Sequence, residues 1–553
     1  MLRIKIISSL EKCFPDQSVK SKPELKSASF LKNERYSFQV CYHRDEFLDS
    51  KVFDHLTVES PLSDCINVYK VQYVPCIKTC FSERCDDDYE RTAPGLYPDL
   101  LEPIRKNEYL PTNGIFRSLW FEIDPNGTVE AGEYPITIRF TDANTGETDG
   151  EVTLTVEIID ALLPPQKLIY TQWFHCDCLA NQYEAEVWSE RYWQIVENFM
   201  INARRSGINM IFTPLVTPEL DTYVGEERTT TQLLKITKEG DRYSFDFSRL
   251  GRWIDLCDKV GFEHFEFGHL YTQHDATACP KVMATVDGEE RQIFGWNTLA
   301  DGDEYKAFLT AMIPALLNYL KHEKNGADKR CWFHLADEPG SKNLEQYQKL
   351  SGFLKPLIEG YPTLDALSNY EFFSMGLVEH PVAATTRIGA FLEHKVPGLW
   401  AYYCGAQGRY VSNRFIAMPS HRNRILGVQL YKYNIVGFLH WGFNFYNTQG
   451  SYGEVNPYLC NDADGFVPAG DTFAVYPGPN GTPLPSLRQI VFHDALQDMR
   501  ALELCESLYG KEEVLRLIEE GIDPIEFDCY PKNPDYLLRL RRRINEMIKN
   551  AAN

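Results

Sequence analysis

Nowhere in this chain of 553 residues is there an apolar run long enough to cross a bilayer, nor one of signal-peptide length near its start. Met1-Leu-Arg-Ile-Lys-Ile-Ile places charges inside its short apolar segment, and Glu11-Lys12 follow at once. The expectation is a cytoplasmic protein with no membrane attachment, or a secreted one if a leader has been removed. Positive charge is scarce as well. Lys and Arg number 56 against 78 Asp and Glu, a formal net charge of −22. Such a field repels a polyanion, so nucleic acid is not expected as a partner. The basic run Arg541-Arg542-Arg543 falls in a helical pattern with Tyr536, Leu537, Leu540, Ile544, Met547 and Ile548, where a solvated basic face is expected. The 15 cysteines lack a repeating frame. Their densest group, Cys76, Cys80 and Cys85, does not show the paired C-x2-C spacing of a zinc site. Free thiols in a reducing compartment are the expectation. His264, His269 and His274 span a strand and its loop, so no metal and no cofactor is expected.

What the chain does have is aromatic residues: 13% of the sequence, with 31 Tyr, 32 Phe and 9 Trp. Rings of this kind stack on the C–H face of a sugar, although larger β-rich cores use them too. Residues 1–162 read as a β-sandwich. Alternating segments at Tyr36–Tyr42, Ile66–Tyr73, Tyr134–Phe140 and Glu151–Ile159 are separated by turns such as Asp124-Pro-Asn-Gly127 and Asp142-Ala-Asn-Thr-Gly146. Pro164-Pro165 ends the region, since neither proline can donate to a ladder.

From residue 167 the rhythm becomes strand then helix. Strands are expected at Lys167–Phe174, Ile208–Phe212, Phe262–His269, Arg330–Ala336, Leu364–Ser368, Gly398–Cys404 and Ile435–Trp441, with helix five and strand six between Phe372 and Pro397. A hairpin is expected at Leu233–Phe247. Eight such units describe a (β/α)8 barrel over 167–490, followed by a helical C-terminal extension over 491–553 packed on it. A doubly wound sheet rarely uses so many repeats.

Barrel enzymes carry their chemistry at the C-terminal ends of the strands. Those ends hold Trp173, His175, Glu266, His269, Asp337, Glu338, Asn369, Tyr402, Tyr403, Trp441, Asn444 and Tyr446. Carboxylates, amides and rings around one mouth suit a sugar, which asks for hydrogen bonds to hydroxyls and a stacking face. Asp337-Glu338 leads: a hydrophobic strand delivers the pair and Pro339-Gly340 breaks the chain after it. The competing reading is a helix cap or dipole complement. A double-displacement glycosidase needs two carboxylates roughly 5–5.5 Å apart across the scissile bond, and neighbours on a strand point in different directions. Strand seven, Trp-Ala-Tyr-Tyr-Cys-Gly-Ala-Gln, supplies no acid. Substrate-assisted hydrolysis removes the difficulty, because a 2-acetamido group attacks its own anomeric carbon. One carboxylate then orients that group while the other moves protons.

Several segments in order resemble glycoside hydrolase family 123, the β-N-acetylgalactosaminidases. In the sandwich they are Ala93-Pro-Gly-Leu-Tyr-Pro-Asp99, Ser118-Leu-Trp-Phe-Glu-Ile-Asp124 and Ala131-Gly-Glu-Tyr134. Beyond it come His334-Leu-Ala-Asp-Glu-Pro339, Gly437-Phe-Leu-His-Trp-Gly-Phe-Asn444, Pro468-Ala-Gly-Asp471, Tyr476-Pro-Gly478, Ser486-Leu-Arg488 and Asp494-Ala-Leu-Gln-Asp498. The resemblance implies an exo-acting, retaining enzyme that releases β-linked N-acetylgalactosamine from an oligosaccharide or glycoconjugate through an oxazoline. It implies Glu338 as acid/base and Asp337 as the acetamido-orienting group. Tyr402 or Tyr403 would bond the acetamido oxygen, and Trp441 would form the sugar platform. Two alternatives stay open: a glycosidase for another sugar with an enzyme nucleophile such as Glu266, and a non-catalytic carbohydrate-binding protein. No oligomeric state is predicted.

Overall fold

The computed structural model describes residues 2–44, 52–105, 108–273 and 276–552. Its N-terminal strands are β1 (Leu2–Ser8), β2 (Ser27–Leu31), β3 (Tyr36–Arg44), β4 (Phe53–Glu59), β5 (Ile66–Cys76), β6 (Gly95–Pro103), β7 (Tyr109–Pro111), β8 (Arg117–Ile123), β9 (Gly132–Asp142) and β10 (Thr148–Ile159). They form two five-stranded sheets, ordered β1-β3-β8-β5-β6 and β2-β10-β9-β4-β7. Side chains alternate across a strand, so every second residue of β3, β8, β9 and β10 reaches the space between the sheets. Phe38, Val40, Leu119, Phe121, Ile136, Ile138, Phe140, Leu154, Val156 and Ile158 fill that space as one buried cluster. Each is worth roughly 1.5–3 kcal/mol of burial. Asp142 closes the turn between β9 and β10 by accepting the amides of Asn144 and Thr145 at 2.8 and 2.9 Å.

The chain then builds the barrel in order. β11 (Ile169–Gln172) and β12 (Met210–Thr213) are followed by a hairpin, β13 (Lys235–Glu239) and β14 (Arg242–Asp246). After β15 (His264–Phe267) comes a second hairpin, β16 (Val282–Val286) and β17 (Glu289–Phe294). β18 (Cys331–His334), β19 (Thr363–Leu367), β20 (His380–Ala384), β21 (Trp400–Tyr402) and β22 (Gly437–His440) complete the set. β11, β12, β15, β18, β19, β20, β21 and β22 close into a parallel barrel, with β22 pairing back onto β11 from Ile169↔Gly437 to Gln172↔His440. The first hairpin falls where one is expected, at Leu233–Phe247; the second is absent from the expected rhythm, and the two join into a four-stranded sheet outside the barrel. The strands are shorter than their hydrophobic runs, because the ends of those runs continue as buried loops outside the ladder. Strand six and short helices (Glu371–Ser374 and Gly389–Glu393) do occupy the Phe372–Pro397 stretch.

Met210, Phe212, Leu364, Ala366, Val382, Ala384, Trp400, Tyr402 and Leu439 pack inside the barrel. Gly437 makes room for the largest of them: a Cβ there would stand 2.0 Å from the Trp400 indole. Around the barrel, helix Glu190–Arg205 begins on Ser189, whose hydroxyl accepts the Tyr192 amide. Helix Leu487–Tyr509 packs on the pair Ser420–Arg424 and Leu426–Lys432, and helix Pro534–Ala552 packs on it in turn. The structure corrects the solvated reading of the basic run at Arg541 alone, since Arg542 and Arg543 are exposed as expected. Arg541 is buried, donating to Glu34 at 2.5 Å and Asp498 at 3.0 Å, beside Arg424, which holds Asp498 from its other side. Arg543 pairs with Glu520 on the surface. No helix among the described residues is long and apolar enough to cross a membrane.

Sandwich and barrel meet over buried polar contacts. Asp99 on β6 accepts both Arg488 Nε and Nη2, at 2.8 and 2.9 Å, and the Tyr476 hydroxyl at 2.6 Å. Lys12 donates to the Ile416 and Met418 carbonyls at 2.6 and 2.7 Å, and burial lowers its pKa to about 8.

Candidate active site

β18 ends at His334, and the next four residues carry both carboxylates to the barrel mouth. Asp365, a buried acid in the apolar strand β19, accepts the amides of Leu335 and Ala336 at 3.1 Å each. This fixes the path of the loop before the acids arrive. Asp337 is nearly buried, and its Oδ2 accepts Gln273 Nε2 at 2.7 Å. The backbone then turns left-handed at Glu338, with φ +46°. That region is sparsely populated for a residue with a side chain and stores about 1–3 kcal/mol of strain. With the backbone turned there, both acids line one cavity of about 270 Å³. Its size sits just below the roughly 300–1,000 Å³ of small-molecule sites.

Trp173, Leu220, Ala366, Leu439 and Trp441 give that cavity apolar walls, and Asp221, Gln273, Tyr402, Cys404 and Asp471 line it beside the two acids. The Tyr402 hydroxyl donates to Glu338 Oε1 at 2.5 Å. Burial and the Glu338 charge together hold the Tyr402 phenol far above the ordinary range, so it stays a donor. Trp441 is fixed by its indole N–H, which donates to Asp471 Oδ2 at 2.9 Å. The same oxygen accepts the Gly405 amide at 2.8 Å.

Beneath the mouth lies a chain of buried charges. Glu266 accepts Thr171 Oγ1 at 2.6 Å, Trp173 Nε1 at 2.9 Å and His334 Nδ1 at 2.9 Å. His334 Nε2 lies 3.3 Å from Asp365 Oδ1, though without hydrogen-bond alignment. Burial alone would lower the pKa of His334. The bond to Glu266 and the charges of Asp365, Glu266 and Asp337 outweigh it and raise the value. Asp365 is raised by burial to about 6, held back by His334, the Tyr347 hydroxyl and its two amides. His269 packs against His334 with ring centres 4.1 Å apart and planes tilted by 47°. Burial first, then the His334 charge, keeps it neutral.

His269, His334 and Asp337 present potential ligand atoms within 4.8 Å of one another. His334 already engages Glu266 through Nδ1, and the shift of its pKa favours the ring that carries both protons, so this trio fits a metal poorly. Of the histidines considered from the sequence, His274 lies outside the described residues.

Trp173, Asp337, Glu338, Tyr402 and Trp441 are therefore brought together around the cavity, whereas Glu266, His175, Asn369, Tyr403, Asn444 and Tyr446 do not line it. His175 is buried. Its ring accepts from Arg228 at 3.1 Å and meets the Trp441 carbonyl at 2.8 Å, and burial with the Arg228 charge lowers it to about 3. Neutral His175 thus steadies the platform strand from behind. Asn444 exchanges hydrogen bonds with the His175 backbone. The Tyr446 hydroxyl donates to the Val475 carbonyl. Tyr403 packs between Phe438 and His440, and Asn369 accepts the Glu371 amide.

Residues that the strand-end reading passed over include Gln273, Asp365 and Asp471, with Phe81 and Arg84 from the sandwich. Asp365 was signalled by an acid inside Thr363-Leu-Asp-Ala-Leu, and Asp471 by its place after Pro468-Ala-Gly. Nothing local marks Phe81 or Arg84, whose position depends on how the two halves dock.

A sequence model of the glycoside hydrolase 123 catalytic domain matches residues 173–505. Among solved structures, a family 123 glycoside hydrolase from Clostridium perfringens, studied for glycolipid glycan hydrolysis, is similar at a TM-score of 0.76 and 13% identity, covering 100% of this chain and 98% of that one. A β-glucuronidase from Bacteroides uniformis gives 0.30 at 11% identity, covering 86% and 48%. A family 5 mannosidase from Rhizomucor miehei gives 0.36 at 10%, covering 61% and 94%. No curated protein matches the chain in sequence.

Proposed function

The chain belongs to glycoside hydrolase family 123, and from that premise we propose that it is an exo-acting, retaining β-N-acetylgalactosaminidase working through an oxazoline. The observation that supports this most is the pairing of Asp337 and Glu338 on one wall of the cavity, made possible by the left-handed backbone at Glu338. No acid stands on β21 to act as an enzyme nucleophile. Glu266, the other candidate, is wholly buried under three donors.

The terminal sugar stacks on Trp441, with its acetamido group toward Asp337. The acetamido oxygen attacks the anomeric carbon as the glycosidic bond breaks, and Glu338 gives its proton to the departing oxygen. Asp337, anchored by Gln273, accepts the acetamido N–H and balances the positive charge of the closing ring. Tyr402 bonds the acetamido oxygen when substrate displaces it from Glu338. Glu338, now a carboxylate, takes a proton from water, which opens the oxazoline and restores the β-configuration.

Release of 4-nitrophenol from the β-N-acetylgalactosaminide, inhibition by a thiazoline mimic and initial appearance of the β-anomer are the expected results. In Glu338→Gln, kcat on a poor leaving group should fall by roughly 10²–10⁴. Full activity would sink the acid role, and insensitivity to thiazoline with turnover of simple β-galactosides would sink the substrate-assisted route.

A further inference from the structure

Residues 77–94, between β5 and β6, leave the sandwich and form part of the cavity wall. The segment is tied to the barrel at both ends. The Lys78 carbonyl accepts the Ala469 amide at 2.7 Å, and the Glu90 amide donates to the Ala417 carbonyl at 2.9 Å. Midway, Asp86 takes two hydrogen bonds from buried Arg422, at 2.8 and 2.9 Å. So anchored, it presents Phe81 and Arg84 to the cavity.

Arg84 is the one cationic side chain among those lining the cavity, and it makes no ion pair with any described residue. Glu83 on the same turn accepts from the Ser82 hydroxyl instead. The guanidinium lies 5.4 Å from the centre of the Phe81 ring. A second cation, Lys78, approaches the same ring and forms no ion pair with a described carboxylate. Lys78 sits 4.3 Å from the Phe81 ring and donates to the Gly465 and Phe466 carbonyls. A chain of net charge −22 has carboxylates in surplus, and Asp221, Asp337, Glu338 and Asp471 line this same cavity, yet Arg84 forms no ion pair with a described residue.

We propose that this wall is an anion-recognising subsite: the glycan taken into the cavity carries a sulfate ester or a carboxylate that Arg84 binds, with Phe81 packing beside it. The proposal rests on the reading of the cavity as a glycosidase site. Arg is the side chain best shaped for either group, since its fork matches two oxygens at once.

The test compares wild type with Arg84→Ala and Arg84→Lys. The substrates are 4-nitrophenyl β-N-acetylgalactosaminide, its 4- and 6-sulfates, and a disaccharide in which N-acetylgalactosamine is β-linked to a uronic acid. The ratio of kcat/KM for an anionic over the neutral substrate should fall about tenfold in Arg84→Ala and recover in part in Arg84→Lys. A fall confined to the sulfates assigns the anion to the terminal sugar, and one confined to the disaccharide assigns it to the next. Calorimetric binding of the free sulfated sugar gives a readout independent of turnover. If no substrate is hydrolysed but that affinity still drops about tenfold in Arg84→Ala, the catalytic reading fails and the subsite stands. An unchanged ratio and unchanged affinity in Arg84→Ala overturn the subsite, whatever the activity.

Discussion

Replacing Glu266 with Gln would isolate the charge in the buried chain beneath the site. Oε1 accepts two N–H groups, from Trp173 and His334, and Oε2 accepts only the Thr171 hydroxyl. An amide can keep its oxygen toward the two N–H donors and turn its nitrogen to Thr171, whose hydroxyl can then accept. Shape and hydrogen-bond number survive, and the negative charge opposite His334 is lost. A hydrogen bond to a charged group contributes about 1.5–3 kcal/mol, so the variant should lose about 2 kcal/mol while His334 is protonated.

The pH dependence follows from direction. His334 is raised above 6.5 and Asp365 above 3.8. Each therefore binds its proton more tightly folded than unfolded. The stability this supplies is full below the unfolded value and fades as pH rises through the folded one. Removing Glu266 takes away the strongest support for the His334 shift. The loss should be greatest near about pH 5.5 and smaller near about pH 9, shrinking as pH rises through the raised His334 value and the ring gives up its proton. Thermal unfolding at the two pH values reads this as a drop of a few degrees at the lower one. A loss equal at both, or larger at the higher, would refute the ion-pair assignment.

Tyr402→Phe removes the hydroxyl that meets Glu338; kcat/KM should fall roughly 10–100-fold with the melting temperature changed little, and unaltered kinetics would remove Tyr402 from the mechanism. Arg488→Met leaves Asp99 buried with only the Tyr476 hydroxyl, and should destabilise by about 3–5 kcal/mol. A loss below about 1 kcal/mol by chemical denaturation would mean that the contact between sandwich and barrel bears little weight. Gly437→Ala drives a methyl into the Trp400 indole; it should cost at least 1–3 kcal/mol and lower soluble yield, and a fully stable variant would contradict the barrel packing.

The barrel could be read from the sequence because its strands are buried on both faces and stand out as apolar runs between amphipathic helices. Their lengths could not, since a run such as Lys167–Phe174 continues into a loop that is itself buried, leaving only Ile169–Gln172 paired. The Asp337-Glu338 pair was visible because Pro339-Gly340 must break the strand there. Which other strand-end residues face the cavity depended on a one-residue difference in direction. Tyr402 points in and Tyr403 out, and a sequence that offers both cannot choose. Arg541 defeated the helical pattern because its partners, Glu34 and Asp498, come from segments far apart in the chain.

The left-handed residue at the mouth has a consequence for how this protein would respond to selection. Glycine adopts φ +46° freely, so Glu338→Gly should relax the loop and melt higher than wild type while removing the proposed proton donor. A library screened for thermal resistance would enrich that change, and one screened for sugar release would discard it. Where the two screens disagree most sharply is where the chain gives up robustness for chemistry.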